Sequence, residues 1–405
     1  MVCKIDVFLE GSAFLIAYSG GLDSHVLLHR LTVLRQQNPH WQLRAVHIHH
    51  GLHKDADQWS EHCQKICDDL EVELIIRKIS IKKNDPCGIE AAARRERYQV
   101  FKSLMDKNEN VLTAHHQNDQ AETLLLQLLR GAGPKGLAGM PEKIAFGPGY
   151  HLRPLLSFTR KQLQDYAKQH QLRWLEDPSN KEISFNRNYL RHKVMPLLEE
   201  RWPSASAVLF RSAENCAEVS ELLNEIGKED LIKVQHQEYL SISKLLQYHQ
   251  ARRFNLLRYW FSQLNLALPK RIKLEQIDRE VLKAREDASP LVAWKGVEVR
   301  RYRDGLYAMA PLEAFDSSQI ISWKNQQLVT LNDLAQQDIQ WDDTGKLTIR
   351  FRQGGEKLTL RNRRGTHELK KLFQEWGIPP WQRDRIPLLY HDDKLIAVIC
   401  HSHHA

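Results

Sequence analysis

The chain has only six cysteines in 405 residues (Cys3, Cys63, Cys67, Cys87, Cys216 and Cys400), and no two of them form a C-x-x-C pair. Thiols scattered through a long chain suit a reducing cytosol, and without paired cysteines an iron–sulfur or zinc site is not expected. No run of 18 apolar residues occurs, so neither a transmembrane helix nor a membrane partner is expected. The opening residues, Met1 to Asp6, lead straight into an apolar stretch and do not read as a signal peptide, which makes the expected location cytoplasmic. The Walker pattern G-x-x-x-x-G-K-[ST] is missing as well. Internal repeats and low-complexity tracts are also lacking. What remains is a globular composition, 42% hydrophobic with a mean hydropathy of −0.51, long enough for two or three domains.

The most informative stretch is Ser19-Gly20-Gly21-Leu22-Asp23-Ser24. It follows an apolar, strand-like run (residues 14–18) and opens a helix-like run (residues 24–37) with Val26, Leu27, Leu28, Leu31 and Leu34 at helical spacing. A strand that stops at two glycines and restarts as a helix aims backbone N–H groups at one point, and glycine lets an anion approach without a Cβ clash. Ser19 and Ser24 add hydroxyls, and Asp23 is placed to hold Mg²⁺ beside a phosphate. The stretch therefore reads as a pyrophosphate cradle for ATP. A plain capped Gly-Gly turn is the bland alternative. A Ser hydrolase stays open as a minor one, because Ala17-Tyr18-Ser19-Gly20-Gly21 matches a nucleophile elbow except for alanine in first place.

Strand signals at 13–18, 43–50, 73–79 and 110–115 alternate with helical ones at 24–37, 55–70 and 88–107. That alternation predicts an α/β domain with a doubly wound parallel sheet, whose ligands sit beyond the carboxyl ends of its strands. The cradle, the histidine-rich segment 47–53 and residues 115–122 all fall at such ends. Residues 141–154, rich in Gly and Pro, read as a loop before a helix at 159–170. From about 214 the pattern is mostly helical (214–227, 248–263), with strands at 291–309. The last part is a small α+β region with strands at 346–352, 357–361 and 394–399 and a helix at 367–376. The expected domains are 1–213, 214–315 and 318–405.

Several segments allow two readings. Asn118 or Asp119 could cap a helix, and His115 could be structural; beside a phosphate cradle, His115 and Asp119 become nucleotide and Mg²⁺ contacts. His47 and His49 share a strand face and read as a crevice wall rather than a zinc site. Arg94 and Arg97 lie on a strongly helical segment, where a surface pair with Glu90 competes with a phosphate contact. The net charge is +8, and Lys346, Arg350, Arg352, Lys357, Arg361, Arg363, Arg364, Lys370 and Lys371 crowd one C-terminal stretch among the aromatics Phe351, Phe373, Trp376 and Trp381. A solvated face or a polyanion-binding face would both look like this.

The SGGLDS segment (19–24) resembles the PP-loop ATP pyrophosphatase superfamily. With AVHIHHGLH (45–53), EAAARRERY (90–98), AHHQNDQAET (114–123), RGAGPKGLAGM (130–140), RPLL (153–156), EDPSN (176–180) and FNRNYLR (185–191), the chain looks like the tRNA(Ile)-lysidine synthetases. The C-terminal part, with FRQGGEKLTL (351–360) and LKKLFQEWGIPPWQRDRIPLL (369–389), is similar to that family's last domain. One departure is Asn118, where the family usually has the first of two adjacent aspartates.

The resemblance implies a PP-loop catalytic domain followed by two tRNA-binding domains. It implies adenylation of the C2 oxygen of the wobble cytidine in an isoleucine tRNA with a CAU anticodon, and then attack by free L-lysine. ATP and Mg²⁺ are the implied cofactors, and a homodimer is allowed. The implied site comprises Ser19, Gly20, Gly21, Leu22, Asp23 and Ser24 for the nucleotide, and Asp23 with Asp119 for Mg²⁺. Arg94 is added for phosphate, and His115 or Glu122 for lysine. Arg187, Arg191, Arg361, Arg363, Arg364, Lys370 and Lys371 are assigned to tRNA. A tRNA thiolase and a non-catalytic RNA-binding protein are the alternatives.

Overall fold

The computed structural model describes residues 9, 11–49, 51, 55–80, 88–178, 182–285, 288–322, 346–360 and 363–399. The chain divides into two units, Met1–Glu225 and Ile226–Ala405.

In the first unit, β1 (Ala13–Ala17) is the buried middle of a six-stranded sheet. Its side chains alternate between two cores, as strand geometry requires. Phe14 and Ile16 pack with the α1 residues Val26, Leu27 and Leu31, where α1 is Leu22–Gln37, and with Leu163 and Tyr166 of the helix Arg160–Gln169. Leu15 turns the other way, toward Phe101, Met105 and Val111. Burial on both faces explains why this strand is an unbroken apolar run. Cys63 and Cys67 lie in the first of these cores, where burial pushes both thiols up to about 12, so they pack as inert apolar groups.

The other strands are β2 (Gln42–His49), β3 (Glu73–Lys78), β4 (Asn110–Leu112), β5 (Lys143–Phe146) and β6 (Gly149–Leu152). Their order is β3-β2-β1-β4-β6-β5, parallel except for β5. The helices α2 (Ala56–Asp69) and α3 (Ile89–Leu104) make the crossovers. The chain first steps outward from β1 to β3 and then returns to the far side of β1 as β4. The topological switch point thus lies between β1 and β4, where α/β sheets hold their ligands. Both the 19–24 turn and the segment leaving β4 open there.

Two sequence expectations need correction. Residues 141–154 form the β5–β6 hairpin rather than a loop, with Gly147-Pro148 as its turn. Gly149 fits a close approach there: a Cβ would stand 2.2 Å from the Glu109 carbonyl oxygen. The fourth strand also ends at Leu112, not 115, because residues 113–116 leave the sheet to build the site. Between β4 and β5 the chain forms the helices α4 (Gln117–Leu129) and α5 (Pro134–Leu137), and after β6 come α6 (Arg160–Gln169) and α7 (Asn186–Tyr189). A π-helical turn, Leu190–Val194, leads to α8 (Met195–Arg201), and α9 (Ala205–Val234) spans the unit boundary.

The second unit holds two four-stranded antiparallel sheets and a short hairpin. Residues 291–309 form three strands, as the sequence suggests, packed with the helix Gln250–Gln263 through Phe254, Leu257, Trp260 and Phe261. In the C-terminal part the helix Leu369–Glu375 buries Leu369, Leu372 and Phe373. Two of the aromatics interleaved with the basic residues, Phe351 and Phe373, are therefore core, while Arg363, Arg364, Lys370 and Lys371 are exposed. No helix of the described residues is long and apolar enough to cross a membrane.

His25 sits in α1 against Tyr18, ring centroids 6.0 Å apart, and burial lowers its pKa to about 4. The unfolded chain takes up this proton below about pH 6.5 and the folded chain does not. The resulting stability is complete above that pH and is lost as pH falls toward 4. Thermal melts between pH 7 and 5 should show a falling midpoint, and His25→Leu should flatten that slope.

Candidate active site

The turn after β1 is held by its own hydroxyls. The Ser19 and Ser24 Oγ atoms lie 3.0 Å apart, Ser24 Oγ donates to the Gly21 carbonyl at 3.0 Å, and it accepts from the Ser19 N–H at 3.2 Å. Gly20 has φ +81°, and a Cβ on it would meet Cys63 Sγ at 2.9 Å, so both conformation and space require glycine. Its carbonyl accepts from Leu175 N–H at 2.9 Å. Leu22 is buried as the first residue of α1, which aims Asp23 out of the first turn. This Asp23 is partly exposed, yet its Oδ1 is buried with no hydrogen-bond partner.

Across the switch point, α4 starts with a reciprocal cap. His116 N–H donates to Asp119 Oδ2 at 3.0 Å, and Asp119 N–H donates to His116 Nδ1 at 3.3 Å. The capping reading and the site reading of Asp119 thus coexist. His116 also joins the two strand ends: its Nε2 lies 3.6 Å from Asp23 Oδ2 and 3.5 Å from Asp119 Oδ2. Burial alone would lower its pKa, but the two carboxylates outweigh burial and raise it.

Asp119 and Glu122 are both buried, and two arginines meet them. Arg191 donates to Glu122 Oε1 at 2.7 Å, to Glu122 Oε2 at 3.0 Å and to Asp119 Oδ1 at 2.8 Å. Arg187 donates to Glu122 Oε2 at 2.9 Å and to Asp119 Oδ1 at 3.3 Å. The two arginines are one turn apart, on α7 and on the π-helical turn after it, so both reach the same acidic face. Burial opposes charge on Asp119, but His116, Arg187 and Arg191 hold its pKa below the usual carboxylate range.

The other candidates fall into two groups. His115 lies close by, its Nδ1 2.7 Å from Thr113 Oγ1, and burial keeps its pKa well below the ordinary value. The exposed Arg94 donates to the Tyr98 hydroxyl at 3.4 Å and lies over that ring. His47 Nδ1 stands 3.5 Å from Cys63 Sγ and His49 Nε2 3.1 Å from Asp57, and among the described residues no group of three or more His, Cys, Asp or Glu side chains is arranged to hold a metal ion. His50, His53 and Arg361 lie outside the described residues. In the second unit Arg363 pairs with Glu375 at 2.6 Å and Lys371 with Glu368 at 3.3 Å, while Arg364 and Lys370 are exposed.

Three contributors escape a sequence reading. His116 is legible only as the N-cap three residues before Asp119. His151 carries no motif, and Arg153 opens the RPLL segment (153–156) without a role being legible there; β6 and the residue after it bring both to His115.

Relatives share this arrangement of sequence along nearly the whole chain. A PP-loop domain model matches residues 3–198, a TilS substrate binding domain model 240–307, and a TilS substrate C-terminal domain model 347–400. The tRNA(Ile)-lysidine synthase of Coxiella burnetii is 46% identical over 98% of this chain and 90% of that protein. The chain belongs to the tRNA(Ile)-lysidine synthase family. The synthases of Serratia proteamaculans and Photorhabdus laumondii are 44% and 43% identical, over 95% and 96% of this chain and 90% of each protein.

Within that family the asparagine at 118 of this chain has a structural account. Asn118 Oδ1 accepts from Arg160 N–H at 3.0 Å, capping α6, and its Nδ2 donates to Ser206 Oγ at 3.1 Å. The side chain is engaged by α6 and α9 while Asp119 faces the arginines. Asn118→Asp would keep the cap and lose the donation to Ser206. It is expected to change stability by no more than about 1 kcal/mol and to leave Mg²⁺-dependent ATP affinity unchanged. A tighter Mg²⁺·ATP complex by titration calorimetry would show that residue 118 reaches the cluster.

Proposed function

We propose that this enzyme adenylates the C2 oxygen of the wobble cytidine in an isoleucine tRNA with a CAU anticodon, and then joins the ε-amine of free L-lysine to C2, releasing AMP. One observation carries this reading: the phosphate-type turn and the Asp119–Glu122 pair meet at one sheet switch point, with His116 between Asp23 and Asp119.

The turn at Ser19–Ser24 receives the ATP phosphates on backbone N–H groups and hydroxyls. The unpartnered buried Oδ1 of Asp23 suits a cation, and Asp23 with Asp119 would hold Mg²⁺, which supplies charge neutralisation for the departing pyrophosphate. Arg94, exposed on α3, can swing toward phosphate.

Lysine needs a different environment. Its amine has an unperturbed pKa of about 10.4, so it arrives as an ammonium and must be oriented and give up one proton, to a carboxylate or to water, before its nitrogen lone pair can attack C2. Glu122 is the group for this, being a buried carboxylate whose charge the two arginines balance; His115, kept neutral and weakly basic, is a poor acceptor for that proton. Arg187 and Arg191 each pair with both carboxylates and so hold them in place. A sulfur-transfer reading lacks the paired cysteines such chemistry uses.

We further infer that catalytic residues 1–213 are followed by two tRNA-gripping domains, 214–315 and 318–405. The exposed Arg363, Arg364, Lys370 and Lys371 supply the phosphate contacts of the last.

Radiolabelled lysine incorporation into tRNA with ATP tests the whole reading, and sulfur incorporation or no turnover would overturn it. Asp119→Ala should abolish the adenylated tRNA. Glu122→Gln should raise the lysine KM about tenfold or more while adenylation continues. An unchanged lysine KM would remove Glu122 from that role. Replacing Arg363, Arg364 and Lys370 by alanine should weaken tRNA binding and lower its salt slope by roughly one for each phosphate no longer neutralised.

A further inference from the structure

Thr113, His151 and Arg153 have no place in the mechanism above, yet they form a continuous hydrogen-bonded chain that ends on His115. Arg153 Nη2 lies 3.0 Å from His151 Nδ1, His151 Nε2 lies 2.8 Å from Thr113 Oγ1, and Thr113 Oγ1 lies 2.7 Å from His115 Nδ1. Thr113, His151 and Arg153 are all buried.

The direction of every proton in this chain follows from its first member. A guanidinium has only donors, so His151 Nδ1 must accept. A neutral imidazole with a bare Nδ1 carries its proton on Nε2, and His151 is neutral: burial first, then Arg153, Arg94 and Arg97, lower its pKa to about 3. Its Nε2–H therefore donates to Thr113 Oγ1. Among the described residues the Thr113 hydroxyl proton then has His115 Nδ1 as its acceptor, and leaving a buried hydroxyl proton unpaired would be costly. His115 is left with a bare Nδ1 and its proton on Nε2.

We propose that Arg153, His151 and Thr113 are positioning residues that lock His115 as a neutral Nε2–H donor, and that this N–H serves an oxyanion of the ATP phosphates rather than the lysine amine. The surroundings fit an anion. The charged groups facing His115 are Asp119 of α4 and three cations, Arg94 of α3, Arg153 after β6 and Arg187 of α7. Arg187 is taken up by Asp119 and Glu122, which leaves Arg94 and Arg153 as the cations whose charge a phosphate oxygen would match. A fixed donor aimed at developing charge needs no reorganisation during the reaction. The relay also has rigid support: the Tyr98 ring stands edge-on to His151 at 5.5 Å, Phe146 lies 6.0 Å away, and Thr113 N–H donates to the Leu152 carbonyl at 3.1 Å.

The assignment deepens the proposed adenylation step and rests on it only for its second half. The first half is read in the full chain without substrates. With ¹⁵N-labelled histidine, the His115 signals (assigned by their loss in His115→Gln) should show an unprotonated Nδ1 and a protonated Nε2, unchanged between pH 7.5 and 5.5. A proton on Nδ1, or titration in that range, overturns the relay. For the second half, Thr113→Val should release the tautomer and lower the rate of pyrophosphate formation about tenfold or more. The ATP KM should move far less, and Thr113→Ser should restore both readouts. A changed tautomer with an unchanged rate would overturn the phosphate role. If Thr113→Val does not fold, the wild-type spectrum and the comparison of Thr113→Ser with wild type decide. Failure of the wild-type enzyme to incorporate lysine would instead overturn the proposed function and leave the tautomer standing.

Discussion

Two buried carboxylates side by side repel each other and lose their hydration, so they stay ionised only if something compensates. In this protein Arg187 and Arg191 each pair with both Asp119 and Glu122. The π-helical turn at Leu190–Val194 follows Arg187 and contains Arg191, the second guanidinium of the pair. His116 caps α4 and so fixes Asp119 from the other side. A buried ion cluster of this kind adds little net stability, because desolvation consumes most of its Coulomb energy, but losing one member leaves a bare charge and is severe. On the proposed function the cluster acts as a receptor rather than as a structural staple. On that proposal, the lysine ammonium enters it by sharing the carboxylates with the arginines.

The same site shows two ways of handling histidine. His116 lies between carboxylates and is drawn toward its charged form, whereas His115, the residue before it, is held neutral by burial and by nearby arginines. Adjacent residues of one type thus acquire opposite electrostatic characters from their neighbours alone.

Much of this is legible in the order of residues. The β1–turn–α1 segment announces itself because each local signal agrees: an apolar run, two glycines, and leucines at helical spacing. The switch point follows from the alternation of strands and helices. The β5–β6 hairpin stays hidden because Gly147, Pro148 and Gly149 look like a loop when their packing partners are unknown. The engagement of Arg187 and Arg191 is equally invisible, since Arg187 meets Glu122 across 65 residues of sequence. His151 and Thr113 are 38 residues apart and share no pattern. Local chemistry can be read from neighbours along the chain, but a polar network closed by tertiary packing cannot.

Gly149 has no side chain to offer the reaction and sits at the outer part of the sheet. Yet it lets β6 lie hard against the Glu109 carbonyl, and the next residue, Tyr150, donates its N–H to Asn110 Oδ1 at 2.9 Å. That close approach sets how far His151 and Arg153 stand from the end of β4. The tolerance of this enzyme to mutation is therefore uneven in a way no inventory of reacting groups would reveal: one added methyl group on Gly149 would collide with the Glu109 carbonyl beside the strand that carries His151.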